Sequence, residues 1–183
     1  MLFSIVILVI LIGINAFFAS SEIAFISLND AKIEKQAKDG NKKAKSIQNM
    51  LKDPSKFLAT IQIGVTLAGF LSSAFAADTF AEVLSPKLSN LMPFIQEQTW
   101  RAISIILITL ILSYFTLVFG ELVPKRLAMK YTEKIAFSSV GIIKAISVVA
   151  SPFVKLLTLS TNAVSKIFKI TENEEEVVTE EEI

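Results

Sequence analysis

The sequence contains no cysteine and no histidine among its 183 residues. Disulfide bonds, thiolate metal sites and imidazole ligation are therefore excluded, as is catalysis by a serine–histidine or cysteine–histidine pair. Any metal ligand must be an oxygen atom, which suits hard cations such as Mg²⁺, Ca²⁺ or Na⁺. These absences make an enzyme the least favoured class of function.

Charge is also absent from long stretches of the chain. The net charge is only +1, 52% of the residues are hydrophobic, and the mean hydropathy is +0.60. Charged residues are concentrated between long apolar runs, a pattern that predicts an all-α membrane protein. The balanced charge provides no broad basic surface, so we expect no nucleic-acid partner.

Three apolar segments are long enough to cross a bilayer, and they predict a transmembrane domain over residues 1–134. The spans are expected at about 2–26, 57–77 and 102–124. A signal peptide fits the first segment poorly because no basic residue precedes it. Trp100 lies at the start of the third span, where an interfacial aromatic residue is expected.

The connectors between the spans predict the orientation of the chain. Residues 27–56 hold eight lysines, and "DGN" at 39–41 predicts a turn between two short amphipathic helices. The loop-like stretch 78–101 holds one lysine and one arginine. The positive-inside rule therefore makes 27–56 a cytoplasmic basic connector in the plasma membrane. The N-terminus is then outside and the C-terminus cytoplasmic.

The C-terminal part of the chain differs from the three spans. Residues 135–170 are apolar but carry lysines at 11-residue intervals, which return to nearly the same helical face. We predict juxtamembrane amphipathic helices that lie in the interface, bent or broken at Pro152, and a fourth span is the rival interpretation. Residues 171–183 hold seven glutamates and read as an acidic linker towards a further domain.

The stretch "LVFGELVPKRLA" at 117–128 carries the strongest chemical signal. Pro124 has no N–H, so the carbonyl of Gly120 loses its usual helical donor and a helix break is expected. Glu121 lies beside that free carbonyl at membrane depth, and a bound cation would satisfy both groups. The rival interpretation is that Glu121 marks the membrane boundary and pairs with Lys125, one helical turn later.

Polar residues in the other two spans are candidate partners for such a cation. Asn15 lies inside an apolar helix, where its amide needs a hydrogen bond or an ion. It shares a helical face with Glu22, and Ser20 and Ser21 lie nearby. Gln62 and Thr66 share a face of the second span, although hydroxyl groups in spans often bond the carbonyl four residues earlier.

Three stretches resemble the CorC/cyclin M family of membrane proteins: "INAFFASSEIAF" (14–25), "ATIQIGVTLAGFLSSAFA" (59–76) and "FGELVPKRLA" (119–128). The resemblance implies a homodimer, with three transmembrane helices and a juxtamembrane belt in each subunit. It also implies a divalent cation transporter that chiefly exports Mg²⁺ in exchange for Na⁺. Full-length members continue into a pair of cytosolic CBS domains, which the terminal "VVTEEEI" would precede.

The resemblance further implies a dehydrated cation held beside the third helix. Gly120, Glu121 and Pro124 match the family motif directly, and Asn15 matches a polar position of the first helix. Val65 departs from the pattern, because relatives carry an asparagine there. Thr66 or Gln62 would then complete the shell, or the ion preference differs. The alternative function is a membrane-anchored dimeric regulator of a separate transporter, in which the polar residues join helices.

Overall fold

The computed structural model describes residues 2–91 and 96–167, and these residues form helices without any strand, as the all-α prediction requires. The acidic segment 171–183 lies outside the described residues. The helices are α1 (Leu2–Ile26), α2 (Asp30–Lys38), α3 (Lys42–Leu51), α4 (Pro54–Leu91), α5 (Glu97–Leu117), a π-helical turn (Val118–Leu122), α6 (Val123–Lys130) and α7 (Thr132–Ile167).

Within the described residues, four helical segments are long and apolar enough to cross a membrane. They are Leu2–Ile26, Pro54–Ser89, Glu97–Lys130 and Thr132–Ile167, and the third of them runs through α5, the π-helical turn and α6. The chain is therefore a multi-pass membrane protein. The first three segments contain the predicted spans, and the fourth is α7, for which an interfacial belt remains our prediction.

The basic connector folds into two short helices, as its sequence predicts. Asn29 and Asn41 cap the N-termini of α2 and α3, because their side chains accept hydrogen bonds from backbone N–H groups of the first turn. Gly40 separates the helices with a φ angle of 91°, a conformation that costs glycine little. The turn predicted at "DGN" is confirmed.

The second span is longer than its sequence indicates. Helix α4 continues to Leu91 and α5 begins at Glu97, so the prediction of a loop-like stretch at 78–101 was wrong for residues 78–91 and 97–101. Pro86 lies inside the helix and removes the hydrogen bond to the carbonyl of Glu82. Both residues are exposed, so water or a lipid headgroup can satisfy that carbonyl.

Helix α7 is also continuous where a bend or break was predicted. It runs from Thr132 to Ile167 through Pro152, so the belt contains one long helix rather than several short ones. The carbonyl of Val148 loses its donor, but both Pro152 and Val148 are exposed. The expected break was therefore wrong, because a single lost hydrogen bond on an open helix face does not end a helix of this length.

A hydrophobic core joins the connector to the spans. The ring centroids of Phe25 in α1 and Phe57 in α4 are 4.7 Å apart, at the end of the bundle where the connector begins. Ile33 of α2, Ile47 of α3 and Ile143 of α7 are fully buried in the same cluster. This core holds α7 against the connector, and an ion pair between Lys32 and Glu133 adds a link between α2 and α7.

Helices α1 and α4 approach closely at Gly64. A Cβ atom built on Gly64 would lie 2.5 Å from the ring of Phe18, closer than nonbonded carbon atoms allow. A small residue is therefore required at this crossing, as is common where transmembrane helices pack.

Replacing Gly64 by alanine should destabilise the fold by roughly 1–3 kcal/mol, the usual cost of overpacking. Gly69→Ala in the same helix is the matched control, since among the described residues no atom beyond the adjacent helix backbone lies within 4 Å of a Cβ on Gly69. Thermal unfolding of the two variants in detergent measures the difference. Equal melting temperatures would contradict the tight contact with Phe18.

Candidate cation site

The third span widens where Gly120 and Pro124 lie. Residues Val118–Leu122 form a π-helical turn, and the backbone N–H of Val123 donates to the carbonyl of Val118, five residues earlier. The helix was predicted to break at Pro124, but it continues from Glu97 to Lys130 and widens instead, with α6 beginning at proline in its first turn. This turn packs mainly on α1, α5 and α6.

Asn15 of α1 supplies a donor to the carbonyl that Pro124 cannot serve. Its side-chain Nδ2 donates to the carbonyl oxygen of Gly120 over 3.2 Å, and the bond is buried. A Cβ atom on Gly120 would lie 3.0 Å from that Nδ2, so the contact depends on the missing side chain. The sequence predicted the free carbonyl and a polar role for Asn15, but it assigned the carbonyl to a bound cation, whereas here the Asn15 amide donates to it from 105 residues away in sequence.

The side-chain oxygen of Asn15, Oδ1, has no hydrogen-bond partner in the described part of the chain. Asn15 is only 3% exposed, and its Oδ1 atom makes no hydrogen bond there. Leaving a buried acceptor unsatisfied is costly, so such an atom needs an explanation, and a bound cation or water is the usual one. Amide oxygens are ligands that hard cations accept.

Glu121 takes part in a group of three charges. Lys125 Nζ lies 3.0 Å from Glu121 Oε1 and 3.3 Å from Glu22 Oε2, so it bridges the third span to α1. The side chains of Lys125, Glu22 and Glu121 are 29%, 24% and 35% exposed. With two carboxylates and one ammonium the group keeps one net negative charge, which favours a further cation.

Comparison with known proteins identifies the family. Residues 6–183 match the model of the cyclin M transmembrane N-terminal domain. The chain belongs to this family. The resemblance seen in the three sequence motifs is thereby confirmed for nearly the whole chain.

Relatives of this cyclin M domain come from several bacteria. The UPF0053 protein sll0260 of Synechocystis is 40% identical over 174 residues, which are 95% of this chain and 38% of that protein. The UPF0053 inner membrane protein YfjD of Escherichia coli is 27% identical, covering 86% of the chain and 33% of the relative. The polyamine export protein of Haemophilus influenzae is 27% identical, covering 96% and 40%. The chain thus spans less than half the length of these relatives.

Ser20 and Ser21 do not take part in the hydrogen bond between Asn15 and the Gly120 carbonyl. Both hydroxyl groups donate to the carbonyl of Phe17 within α1, over 3.0 Å and 2.7 Å. These are the local bonds that hydroxyl groups in membrane helices often make. Their oxygen atoms keep acceptor capacity, but their protons are directed along α1.

Gln62 and Thr66 are not brought to Gly120. Both are exposed, whereas Gly64 and Val65 between them contact Phe18 or the hydrophobic core. Gly64 lies about 160° around the helix from both Gln62 and Thr66, because successive residues are about 100° apart. Their part in the cation shell stays a prediction, and Val65 packs as an ordinary apolar residue.

Glu22 is the residue that sequence analysis left out of the site. The sequence links it to the site only through its position seven residues after Asn15, on the same face of α1. That spacing was the available signal, because one face of α1 meets the third span at both positions. Asn15 contacts Gly120, and Glu22 contacts Lys125 two helical turns along.

The donor set suits a cation bound through oxygen. The described residues contain no group of three acidic, histidine or cysteine side chains that would form a dedicated metal cluster. The candidate oxygens lie at two levels of this junction: Asn15 Oδ1 with the Gly120 carbonyl, and the carboxylates of Glu121 and Glu22 around Lys125, Glu22 being about 10 Å along α1 from Asn15. A cation that binds Glu121 must therefore compete with Lys125 for the same charge.

Proposed function

We propose that this cyclin M domain moves a cation across the membrane along the junction of α1 and the π-helical turn, and that the cation is Mg²⁺. The observation that carries the proposal is the buried Oδ1 of Asn15, which has no partner within the described residues and lies in the side chain bonded to Gly120. The net negative charge around Glu121 supports it, because a transported cation needs both oxygen ligands and compensating charge.

Exchange of partners at Glu121 provides the mechanism. Mg²⁺ gives up its water reluctantly, so oxygen ligands held by packed helices must replace it. Arrival of the cation displaces Lys125 from Glu121, and the ammonium keeps its contact with Glu22. Movement of the spans against each other then exposes the site to the other side.

The remaining elements of the proposal follow the family resemblance. The direction is export in exchange for Na⁺, and the protein acts as a homodimer in the plasma membrane. The N-terminus is outside and the basic connector is cytoplasmic, because of the lysine excess there. The CBS domains that the family resemblance implies for full-length members would bias the movement of the spans through α7.

A polyamine is the second candidate substrate. The Nζ of Lys125 is a primary ammonium held between two carboxylates, which is the contact that an amine group of a polyamine would make. A relative of similar coverage is named as a polyamine export protein. On this alternative, an amine group of the polyamine takes the place of the Lys125 ammonium between the two carboxylates, and no metal ion is dehydrated.

A membrane-anchored regulator remains the alternative from another class of function. The bond between Asn15 and Gly120 and the bridge through Lys125 would then only hold α1 against the third span. A regulator would bind its ion without carrying it across the membrane.

Flux into liposomes separates these functions. We expect the purified chain to give saturable Mg²⁺ uptake into indicator-loaded liposomes, and protein-free liposomes to give none. Adding spermidine outside should leave the Mg²⁺ rate unchanged. Inhibition by spermidine with uptake of labelled spermidine would favour the polyamine, and absence of both fluxes would contradict transport by this domain.

A further inference from the structure

Helix α7 crosses the beginning of α4 instead of running beside it. Two adjoining cavities, of about 520 and 360 Å³, both include Asp53 and Lys56 at the start of α4. The smaller cavity is also lined by α7 residues from Lys144 to Val148, and the larger by α7 residues from Ser151 to Leu159. About 15 residues of α7, roughly 22 Å of helix, therefore pass the same turn of α4. We call these two cavities the lysine cleft.

The lysine cleft has an excess of positive charge. Lys56, Lys144 and Lys155 line it, and none of them forms an ion pair within residues 2–91 and 96–167. Asp53 is the one acidic residue among the lining residues, and its Oδ1 accepts from the backbone N–H of Lys56, so it caps α4. Three ammonium groups against one carboxylate favour an anion.

Hydroxyl donors and apolar side chains complete the lining. Ser55 and Ser151 line the larger cavity, and their hydroxyl groups have no hydrogen-bond partner in the part of the chain that the structure describes. Phe57 and Val148 line the smaller cavity and Leu159 the larger. Cationic and hydroxyl groups beside apolar side chains suit an amphiphilic anion better than a fully hydrated one.

The opposite face of α7 lines an apolar cavity, as expected for the interior of a bilayer. A third cavity of about 450 Å³ lies there, lined by Ala145 and Val149 of α7 together with residues from the middle of α1 and α4, such as Ile14 and Leu67. Residues 144 and 155 are close in angle on the helix, whereas 145 and 149 lie on the other side. Helix α7 thus separates an apolar cavity from the lysine cleft, the arrangement of a helix at a membrane surface.

We propose that the lysine cleft binds the phosphate group of an anionic phospholipid from the leaflet on that side of the membrane. Lys56 and Lys155 contact the phosphate and Ser55 and Ser151 donate hydrogen bonds to it, whereas Lys144, about 16 Å along α7 from Lys155 in the adjoining cavity, adds to the positive field. The apolar side chains lie against the glycerol and the first methylene groups. The cleft is chemically opposite to the cation site, because it is lined by cations and lies among α3, α4 and α7 rather than at the π-helical turn. Lipid bound there would fix α7 against the start of α4.

Binding in non-ionic detergent tests the proposal without the field of a charged membrane. The full chain is titrated with phosphatidylglycerol, phosphatidylcholine and inorganic phosphate, and bound lipid is counted by native mass spectrometry alongside the melting temperature. The test variant combines Lys56→Gln, Lys144→Gln and Lys155→Gln. The control combines Lys42→Gln, Lys43→Gln and Lys45→Gln, three exposed lysines of α3 that do not line the cleft.

Phosphatidylglycerol should bind and raise the melting temperature of the wild-type chain, whereas phosphatidylcholine should do neither. The cleft variant should bind it roughly 100-fold more weakly, at about fivefold for each lysine, and the control about twofold or less. An equal loss in both variants would overturn the proposal. Equal binding of phosphatidylcholine would show that the acyl chains alone account for lipid binding. Stabilisation by inorganic phosphate alone would show that the cleft binds a soluble phosphate. Either result overturns the assignment to an anionic phospholipid.

Discussion

Replacing Glu121 by glutamine is expected to lower Mg²⁺ flux in liposomes by roughly ten- to hundredfold, the usual worth of a hydrogen bond to a charged group. Glutamine keeps the size and one oxygen of the side chain but removes the charge that a partly desolvated cation requires. Glu22 alone then faces Lys125, so the group of three charges becomes neutral and loses its attraction for a further cation.

Glu34→Gln is the matched control for this substitution. Glu34 also pairs with a lysine one turn later, Lys38, over 2.7 Å, but on the exposed connector. The hydrogen bond from Lys38 and its charge lower the pKa of Glu34, so this pair is ionised at neutral pH. Mg²⁺ flux should be unchanged in the control. Equal flux in Glu121→Gln and wild type, with both eluting as folded protein, would remove Glu121 from the cation path.

The spans and the connector could be read from the sequence because their signals are local. Uncharged apolar runs mark the bilayer segments, and asparagine caps with a glycine of positive φ define the turn between α2 and α3. The prolines were less informative. Pro86 and Pro152 remove one hydrogen bond each, and whether that ends a helix depends on the exposure of the freed carbonyl, which tertiary structure decides.

The cation site was predictable where backbone chemistry decided it. Pro124 leaves the Gly120 carbonyl without its usual helical donor, and because that carbonyl is buried between helices, the Asn15 amide supplies a hydrogen bond in its place. Periodicity could pair Gln62 with Thr66 but could not say which face of α4 meets α1. That choice depends on Gly64, whose missing side chain admits Phe18 and turns the two polar residues outward.

Replacing Asn15 by leucine should abolish most cation flux and also destabilise the fold. Leucine has similar bulk but no polar atoms, so the Gly120 carbonyl loses its side-chain donor, at a cost of roughly 1–3 kcal/mol. The cation loses the buried Oδ1 as a ligand at the same time. Flux in liposomes measures the loss of Oδ1 as a ligand, and unfolding in detergent measures the loss of the Nδ2 donor. Both should change, because the two atoms belong to one amide.

Ser72→Ala separates this interpretation from a general penalty for altering buried polar groups. Ser72 Oγ is the other buried side-chain atom without a partner in the described residues, but no other group depends on it for a donor. Removing an unsatisfied hydroxyl should leave stability equal or slightly higher, and flux unchanged. If Asn15→Leu retained wild-type flux while losing stability, the amide would serve only to join α1 to the third span. If both variants behaved alike, the bond between Asn15 and Gly120 would contribute nothing particular, and the orphaned Oδ1 could no longer support a cation beside Glu121.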